Sequence, residues 1–202
     1  MGPNHSVDFF DSQFQRQVRS RDFQLNPFEV LALPYLKGRV LDFGCGHQAL
    51  FLRAVQPDLQ LGIGLDYDAT PARPAANLEI QSFHFKDRFE FADRTFDHVT
   101  ILAVLEHIPL DQVSVLFREF HRILKDGGSV LLTTPTPASK PLLEFLAFKL
   151  RIISGPEIAD HKHYWNRADI TALARDSGFS VSTYRHFQFG LNSFAALEKL
   201  PK

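Results

Sequence analysis

The chain has 202 residues, of which 45% are apolar and 22% are charged, and its 22 Lys and Arg and 23 Asp and Glu give a formal net charge of −1. This composition excludes a disordered chain, a collagen-like chain and a coiled coil. The charge balance excludes a global basic field for nucleic acid, and the single cysteine excludes a disulfide framework. The length predicts a single domain.

No targeting signal is visible in this sequence. Residues 1–6 lack the charged and apolar regions of a signal peptide, and no run of 18 apolar residues predicts a membrane span. A lone cysteine among 202 residues favours a reducing compartment. We therefore expect a cytoplasmic protein that binds no nucleic acid.

The first 38 residues are predicted to form a helical cap. Asn26 followed by Pro27 is typical of a helix N-cap and its first turn, and Glu29 lies near the positive end of the helix dipole. Gly38 ends this segment. The phenylalanines of the cap are predicted to pack against a later lid segment, and they lie at positions 9, 10, 14, 23 and 28.

Beyond residue 38, short apolar runs alternate with helical patterns, which is typical of an open, mostly parallel sheet covered by helices. Asp111 and Asn166 are predicted to cap two of the helices, and Asp169 lies at the N3 position of the second. We predict a single-domain α/β fold with a seven-stranded sheet, helices on both faces and an antiparallel last strand. The predicted strands are 39–43, 59–66, 78–85, 96–104, 129–134, 180–186 and 192–197.

The strongest local signal is a glycine loop after the first strand. Gly44 and Gly46 allow a tight turn and the close approach of a ligand, and a helix is predicted to begin just after them. Asp66 follows Gly46 by 20 residues, at the end of the next strand, where a carboxylate can accept hydrogen bonds from two ribose hydroxyls. These residues together predict an adenosine-type ligand.

Two adenosine-containing ligands are candidates for this loop, NAD and S-adenosylmethionine. Gly44, Gly46 and Ala49 formally satisfy the dinucleotide fingerprint G-x-G-x-x-G/A. Asp42, however, directly precedes the loop region and would place an anion near a pyrophosphate. A carboxylate suits a ligand with an ammonium group, such as S-adenosylmethionine, so the electrostatics favours this ligand over NAD.

Several ordered motifs carry a family resemblance over residues 39–135. They are Asp42-x-Gly44-x-Gly46, Asp66 after Gly64 and Leu65, Phe96-Asp97-His98-Val99, Val104-Leu105-Glu106-His107-Ile108, and the helix-to-turn block 117–128. The set resembles the class I, Rossmann-like S-adenosylmethionine-dependent methyltransferases, in the small-molecule type 11 branch that includes ubiquinone and menaquinone biosynthesis enzymes. A looser similarity continues at residues 176–179.

The resemblance implies one domain over residues 1–202 with S-adenosylmethionine as its cofactor. The domain divides into a cap (1–38), a cofactor-binding core (39–135), a lid insertion (136–165) and a C-terminal helix with strands (166–202). The predicted cofactor-binding residues are Asp42, Gly44, Cys45, Gly46, Asp66, Tyr67, Phe85, Asp87 and Leu105.

Two departures from the family pattern concern this site. Gln48 stands where the family usually has a third glycine. The acid that usually accepts from the adenine amine aligns with Phe85 or Lys86, so either Asp87 takes that role or Phe85 stacks on the adenine.

The acceptor end of the site is predicted from two clusters. His107 is predicted to lie at the carboxyl end of the fourth strand, where it can take a proton from a hydroxyl acceptor. The alternative is that Glu106 and His107 orient the methionine end or cap the loop. His161, His163 and Tyr164 in the lid are predicted to contact substrate, the alternative being a loop packed by its aromatic rings. No metal is predicted, because His161 and His163 lack a third ligand at a usual spacing.

The lid contains an apolar stretch, residues 141–153, which is favoured as a helix buried on the sheet. Its alternative role is contact with a membrane surface or a lipid-like acceptor. The function predicted overall is methyl transfer from S-adenosylmethionine to a small-molecule, lipid-precursor or saccharide acceptor. The alternatives are an NAD(P)-binding oxidoreductase-type domain and a non-catalytic methyltransferase-like binding module.

Overall fold

The computed structural model describes residues 25–201, so residues 1–24 of the predicted cap, with the phenylalanines at 9, 10, 14 and 23, lie outside the described residues. The strands are β1 (Gly38–Phe43), β2 (Leu59–Asp66), β3 (Ala72–Ala75), β4 (Leu78–Ser82), β5 (Phe96–Leu102), β6 (Leu124–Pro135), β7 (Phe179–Phe187) and β8 (Asn192–Lys199). The α-helices are α1 (Pro27–Val30), α2 (Leu50–Val55), α3 (Leu110–Ile123), α4 (Lys140–Glu144), α5 (Gly155–Ala159) and α6 (Arg167–Asp176).

The strands form one sheet in the order β3-β4-β2-β1-β5-β6-β8-β7. Strands β4, β2, β1, β5 and β6 pair in parallel, while β8 lies antiparallel between β6 and β7. The strand order reverses at β1, since β2 and β4 lie on one side of it and β5 and β6 on the other. The predicted α/β fold with an antiparallel last strand is confirmed, and this reversal is where open α/β sheets bind ligands.

The sheet has eight strands rather than the seven predicted. The additional strand, β3, pairs antiparallel with β4 at the edge of the sheet. Its sequence, Ala72 to Ala75, shows no apolar alternation and contains Pro74, which removes a backbone donor. A strand with a proline is tolerated only at the edge of a sheet. Because the segment has no apolar alternation, its sequence did not predict a strand.

The predicted helix starts agree with the structure at two of three places. Asn26 and Glu29 form a capping box at α1, and Asn166 and Asp169 form one at α6. The prediction that Asp111 caps α3 is wrong, because this helix begins after Pro109 and Asp111 lies inside its first turn. The aspartate there still faces the positive end of the helix dipole.

The phenylalanine-rich part of the chain forms a core beneath the carboxyl ends of the strands. Phe89, which is 1% exposed, is the centre of this cluster. Five rings lie with their centroids 5.0–6.1 Å from that of Phe89, namely Phe43, Phe83, Phe85, Phe91 and Phe120. Such rings contribute both buried area and favourable ring–ring geometry. The excess of phenylalanine, 20 residues, thus includes a packed aromatic core next to the ligand edge.

The lid differs from its prediction. Instead of one helix over 141–153, it forms α4, a π-helical turn (Phe145–Lys149) and, after a break, α5. The expected burial on the sheet is wrong for most of its apolar residues, because Leu142, Phe145, Phe148, Leu150 and Ile152 are 41–68% exposed. Within residues 25–201, no helix combines the length and the apolar character needed to cross a bilayer.

Candidate active site

A cleft of about 770 Å³ opens at the carboxyl edge of the sheet. Its walls come from the ends of β1, β2 and β5, from the segment after β4, and from the lid helix α5 and the residues after it. Such a volume suits a small organic ligand. The cleft coincides with the reversal of strand order beside β1, so the fold places it where the sequence predicted the cofactor.

The glycine loop borders this cleft, and its lining includes Gly44 but not Gly46, whose contact with a cofactor stays a prediction. Gly44 has φ +80°, and a Cβ atom there would collide with the side chain of Val104. Gly46 has φ +71° with open space at its Cβ position. The N–H of Gly44 donates to the carbonyl of Leu65 at 2.8 Å, which ties the loop to the end of β2. Only glycine satisfies both the backbone angle and the close approach at Gly44.

Asp66 is fixed at the end of β2 by two backbone donors. Its Oδ2 accepts from the N–H of Gly46 at 2.9 Å, and its Oδ1 accepts from the N–H of Asp68 at 2.9 Å. Each carboxylate oxygen has a further lone pair, so the half-buried side chain can still accept from two hydroxyls in the cleft. The acceptor oxygens of Asp66 therefore fit the hydroxyls of a ribose.

Asp42 lies beneath the glycine loop, outside the wall of the cleft. It is 3% exposed, and its Oδ1 accepts from the hydroxyl of Thr100 at 2.6 Å. Burial raises the pKa of this carboxyl to about 7. Cys45 and the fully buried Leu105 are likewise absent from the residues that line the cleft. Direct contacts of these three residues with a cofactor stay predictions.

Aromatic side chains form a further part of the cleft wall. Phe83, His84 and Phe85 follow β4, and Tyr67 stands across from them with its ring centroid 6.0 Å from that of His84. Flat rings of this kind suit an adenine. Phe85 lines the cleft and Asp87 does not, so the structure brings the stacking candidate, rather than the acid, to the predicted adenine region.

His107 lies on the wall of the cleft next to the lid. Its Nδ1 is 3.1 Å from Oδ2 of Asp160, whose other oxygen accepts from the Nζ of Lys162. Sequence reasoning singled out His107 but gave Asp160 no role, because the two residues are 53 positions apart. The only sequence signal is that Asp160 directly precedes His161, one of the predicted substrate residues.

Glu106 is a second buried acid at this end. It is 3% exposed, its Oε2 has no hydrogen-bond partner among the described residues, and burial raises its pKa to about 7. Its backbone carbonyl accepts from the N–H of Lys162 at 2.6 Å. The lid is thereby joined to the loop after β5 by its backbone as well as by Asp160.

The predicted substrate residues line a separate polar pocket of about 380 Å³ within the lid, together with Lys140 and Lys162. His161 packs against His107 with ring centroids 4.8 Å apart, so this histidine pair separates the pocket from the cleft. His163 is held by Asp169 at 3.3 Å. The roles of His161, His163 and Tyr164 stay predictions.

Glu106, His107 and His161 bring three ligand-type atoms within 4.8 Å of one another. Ligands bound to one zinc ion at 2.0–2.2 Å lie about 3.5 Å apart in tetrahedral geometry, so a metal would require the group to contract. This group differs from the pair His161 and His163, which was the metal candidate in the sequence. The prediction that the protein binds no metal stays a prediction.

Asp42 makes the stability of the protein depend on pH. Its raised pKa means that the folded protein binds more protons than the unfolded chain between about pH 4 and 7, so stability is lost as pH rises through this window. We expect Asp42→Asn to remove this loss and to raise the free energy of unfolding at pH 8 by about 1 kcal/mol or more, with little change at pH 4.

Urea unfolding at the two pH values measures this effect. Asp176→Asn, at an exposed carboxylate paired with Arg175, is the matched control and should change neither value. An Asp42→Asn effect of equal size at pH 4 and pH 8 would contradict the assignment.

Strand order, the glycine loop and the cleft together define a class I, Rossmann-like methyltransferase fold. Residues 14–184 match the family described as a methyltransferase domain, and the chain belongs to this family. This result confirms three predictions, which are the methyltransferase family, the methyltransferase activity and S-adenosylmethionine as the cofactor. The acceptor oxygens of Asp66 and the aromatic part of the cleft wall fit that cofactor.

Curated relatives and a solved structure agree with this assignment. The chain is 34% identical to a ubiquinone biosynthesis O-methyltransferase of Pseudomonas aeruginosa over 78% of this chain and 72% of that protein. A protein of the same name from Pseudomonas syringae is 29% identical over 71% of this chain, which spans 65% of its length. An S-adenosylmethionine-dependent methyltransferase from Mesorhizobium loti has a TM-score of 0.64 at 19% identity, covering 86% of this chain and 96% of the other.

Proposed function

We propose that the protein transfers the methyl group of S-adenosylmethionine to an oxygen of a small-molecule, lipid-precursor or saccharide acceptor. The observation that carries this proposal is the charge of the cleft. Three carboxylates line it, those of Asp66, Glu157 and Asp160, and none of its described lining residues is Lys or Arg. An acidic wall stabilises a cationic ligand and disfavours a pyrophosphate.

Residues on the wall of the cleft would hold the cofactor. Asp66 accepts from the ribose hydroxyls, the glycine loop lets the methionine end approach the backbone, and Tyr67 and Phe85 contact the adenine. S-adenosylmethionine supplies, when bound, a methyl group on a positively charged sulfur. The geometry of the cleft then needs to align that group with the acceptor and to exclude water.

His107 is proposed to accept the proton of the acceptor hydroxyl. The side chain lies on the cleft wall beside the lid pocket, and a histidine can take up a proton near neutral pH. The proton of the acceptor oxygen would pass to the free imidazole nitrogen as that oxygen gains the methyl carbon, while the bond from this carbon to the cofactor sulfur breaks and its electron pair stays on the sulfur. The relatives named as O-methyltransferases support an oxygen acceptor.

The exposed apolar face of the lid is proposed to contact lipid. It comprises Leu142, Phe145, Phe148, Leu150 and Ile152, and Lys149 and Arg151 lie at its margin. Apolar side chains bordered by cations are typical of interfacial binding. We expect the protein to sediment with anionic phospholipid vesicles, and Phe145→Ser combined with Phe148→Ser to weaken this binding. Equal sedimentation of the double variant would contradict the proposal.

Thermal unfolding with added ligand tests the proposed cofactor. A ligand that binds only the folded state raises the midpoint of unfolding. We expect S-adenosylhomocysteine to raise it and NAD to leave it unchanged. A rise with NAD alone would establish an oxidoreductase-type domain. The absence of any rise with S-adenosylhomocysteine would favour a non-catalytic module, and either result overturns the proposal.

A further inference from the structure

The lid supplies a carboxylate to the proposed base. Asp160 Oδ2 lies 3.1 Å from Nδ1 of His107, and its Oδ1 accepts from the Nζ of Lys162. The hydrogen bond from Lys162 and that from His107 lower the pKa of this carboxyl, so Asp160 is ionised at neutral pH. An ionised carboxylate only accepts hydrogen bonds, and therefore the proton of neutral His107 must lie on Nδ1.

This hydrogen bond decides which nitrogen of His107 is free. With the proton fixed on Nδ1, the lone pair of the neutral ring lies on Nε2, which can then accept a proton. A base that is oriented by a third group in this way is the recurring arrangement of acid–base catalysis. Glu106, although adjacent in sequence, has no hydrogen bond to His107 among the described contacts, so the orienting role falls to Asp160.

The same lid segment is attached to the loop of His107 through its backbone. The N–H of Lys162 donates to the carbonyl of Glu106 at 2.6 Å. Lys162 follows Asp160 by two positions, and Glu106 directly precedes His107. The ring of His161 also packs on that of His107. When this attachment is made, the carboxylate of Asp160 is held against the imidazole. Lid docking and the orientation of the base are therefore one event.

We propose that Asp160 is a positioning residue which fixes the tautomer of His107, and that the base is complete only while the lid segment is docked through Lys162. This inference rests on the proposed function, because it assigns His107 as the base. The sequence predicted neither the positioning role of Asp160 nor a role for lid docking in catalysis.

Nitrogen NMR of the imidazole rings tests the proposal without any acceptor. We expect neutral His107 in the full chain to carry its proton on Nδ1, and Asp160→Ala to shift the proton to Nε2. Asp169→Ala is the matched control, since it removes the carboxylate 3.3 Å from His163 in the same region and should leave the His107 signals unchanged. The same His107 tautomer in wild type and Asp160→Ala would overturn the proposal.

Kinetics and a backbone variant test the link to the lid. Asp160→Ala should lower kcat by about 10- to 100-fold, which is part of the roughly 10²–10⁴-fold contribution of a general base. It should change KM for the acceptor much less. Lys162→Pro removes the N–H donor and should lower kcat similarly, whereas Lys162→Met keeps that N–H and should have a smaller effect. Equal kcat for these two Lys162 variants would contradict the coupling.

Binding of S-adenosylhomocysteine shows that each variant is folded. A wild-type protein that binds S-adenosylhomocysteine but transfers no methyl group would contradict the proposed function. In contrast, an active wild type whose His107 tautomer is the same as in Asp160→Ala would contradict only the role of Asp160.

Discussion

Replacing Asp66 with alanine is expected to weaken the binding of S-adenosylhomocysteine by about 1–3 kcal/mol, the contribution of a hydrogen bond to a charged group. The two backbone N–H groups that now hold the carboxylate, those of Gly46 and Asp68, would also lose their acceptor. The glycine loop would thereby lose its attachment to the end of β2 at Gly46. Both effects reduce affinity, and isothermal calorimetry measures their sum.

Asp68→Ala is the matched control for this measurement. Its side chain is exposed, lies outside the residues that line the cleft, and contacts His47 rather than the loop glycines. Its N–H, which donates to Asp66, remains after substitution. Equal affinities for wild type, Asp66→Ala and Asp68→Ala would exclude Asp66 as the ribose ligand.

Replacing His107 with glutamine is expected to lower kcat by about 10²–10⁴-fold, the usual contribution of a general base. Glutamine is polar and of similar reach, but it cannot take up a proton. The affinity for S-adenosylhomocysteine should stay within about twofold, because the proposed ribose and adenine contacts are unchanged. Single-turnover rates at saturating cofactor measure the chemical step.

His186→Gln is the control for this variant, since His186 lies on β7 and contacts Tyr184. We expect it to retain the wild-type rate. A rate for His107→Gln equal to that of wild type would mean that alignment and exclusion of water suffice, and that no base acts.

The sequence predicts local features of this fold well. The glycine loop, Asp66 at the end of β2 and the capping boxes at Asn26 and Asn166 depend on residues within a few positions or within one βα unit. Each has a residue type that the backbone requires, such as glycine at φ +80° in Gly44. Local chemistry of this kind is visible in a single sequence.

Features that depend on distant residues could not be predicted. Asp160 meets His107 only because the lid folds back over the end of β5, and nothing in the spacing of 53 residues indicates that contact. Phe145 and Phe148 are about half exposed, and an apolar pattern does not show which of its side chains another element covers. The edge strand β3 lacks a strand pattern altogether.

A crystal structure of the protein with S-adenosylhomocysteine tests the central claim most directly. We expect the ribose hydroxyls on the carboxylate of Asp66, the adenine between Tyr67 and Phe85, and the sulfur on the side of the cleft that carries His107. A ligand bound with its ribose away from Asp66, or a cleft that stays empty at saturating ligand, would contradict the account.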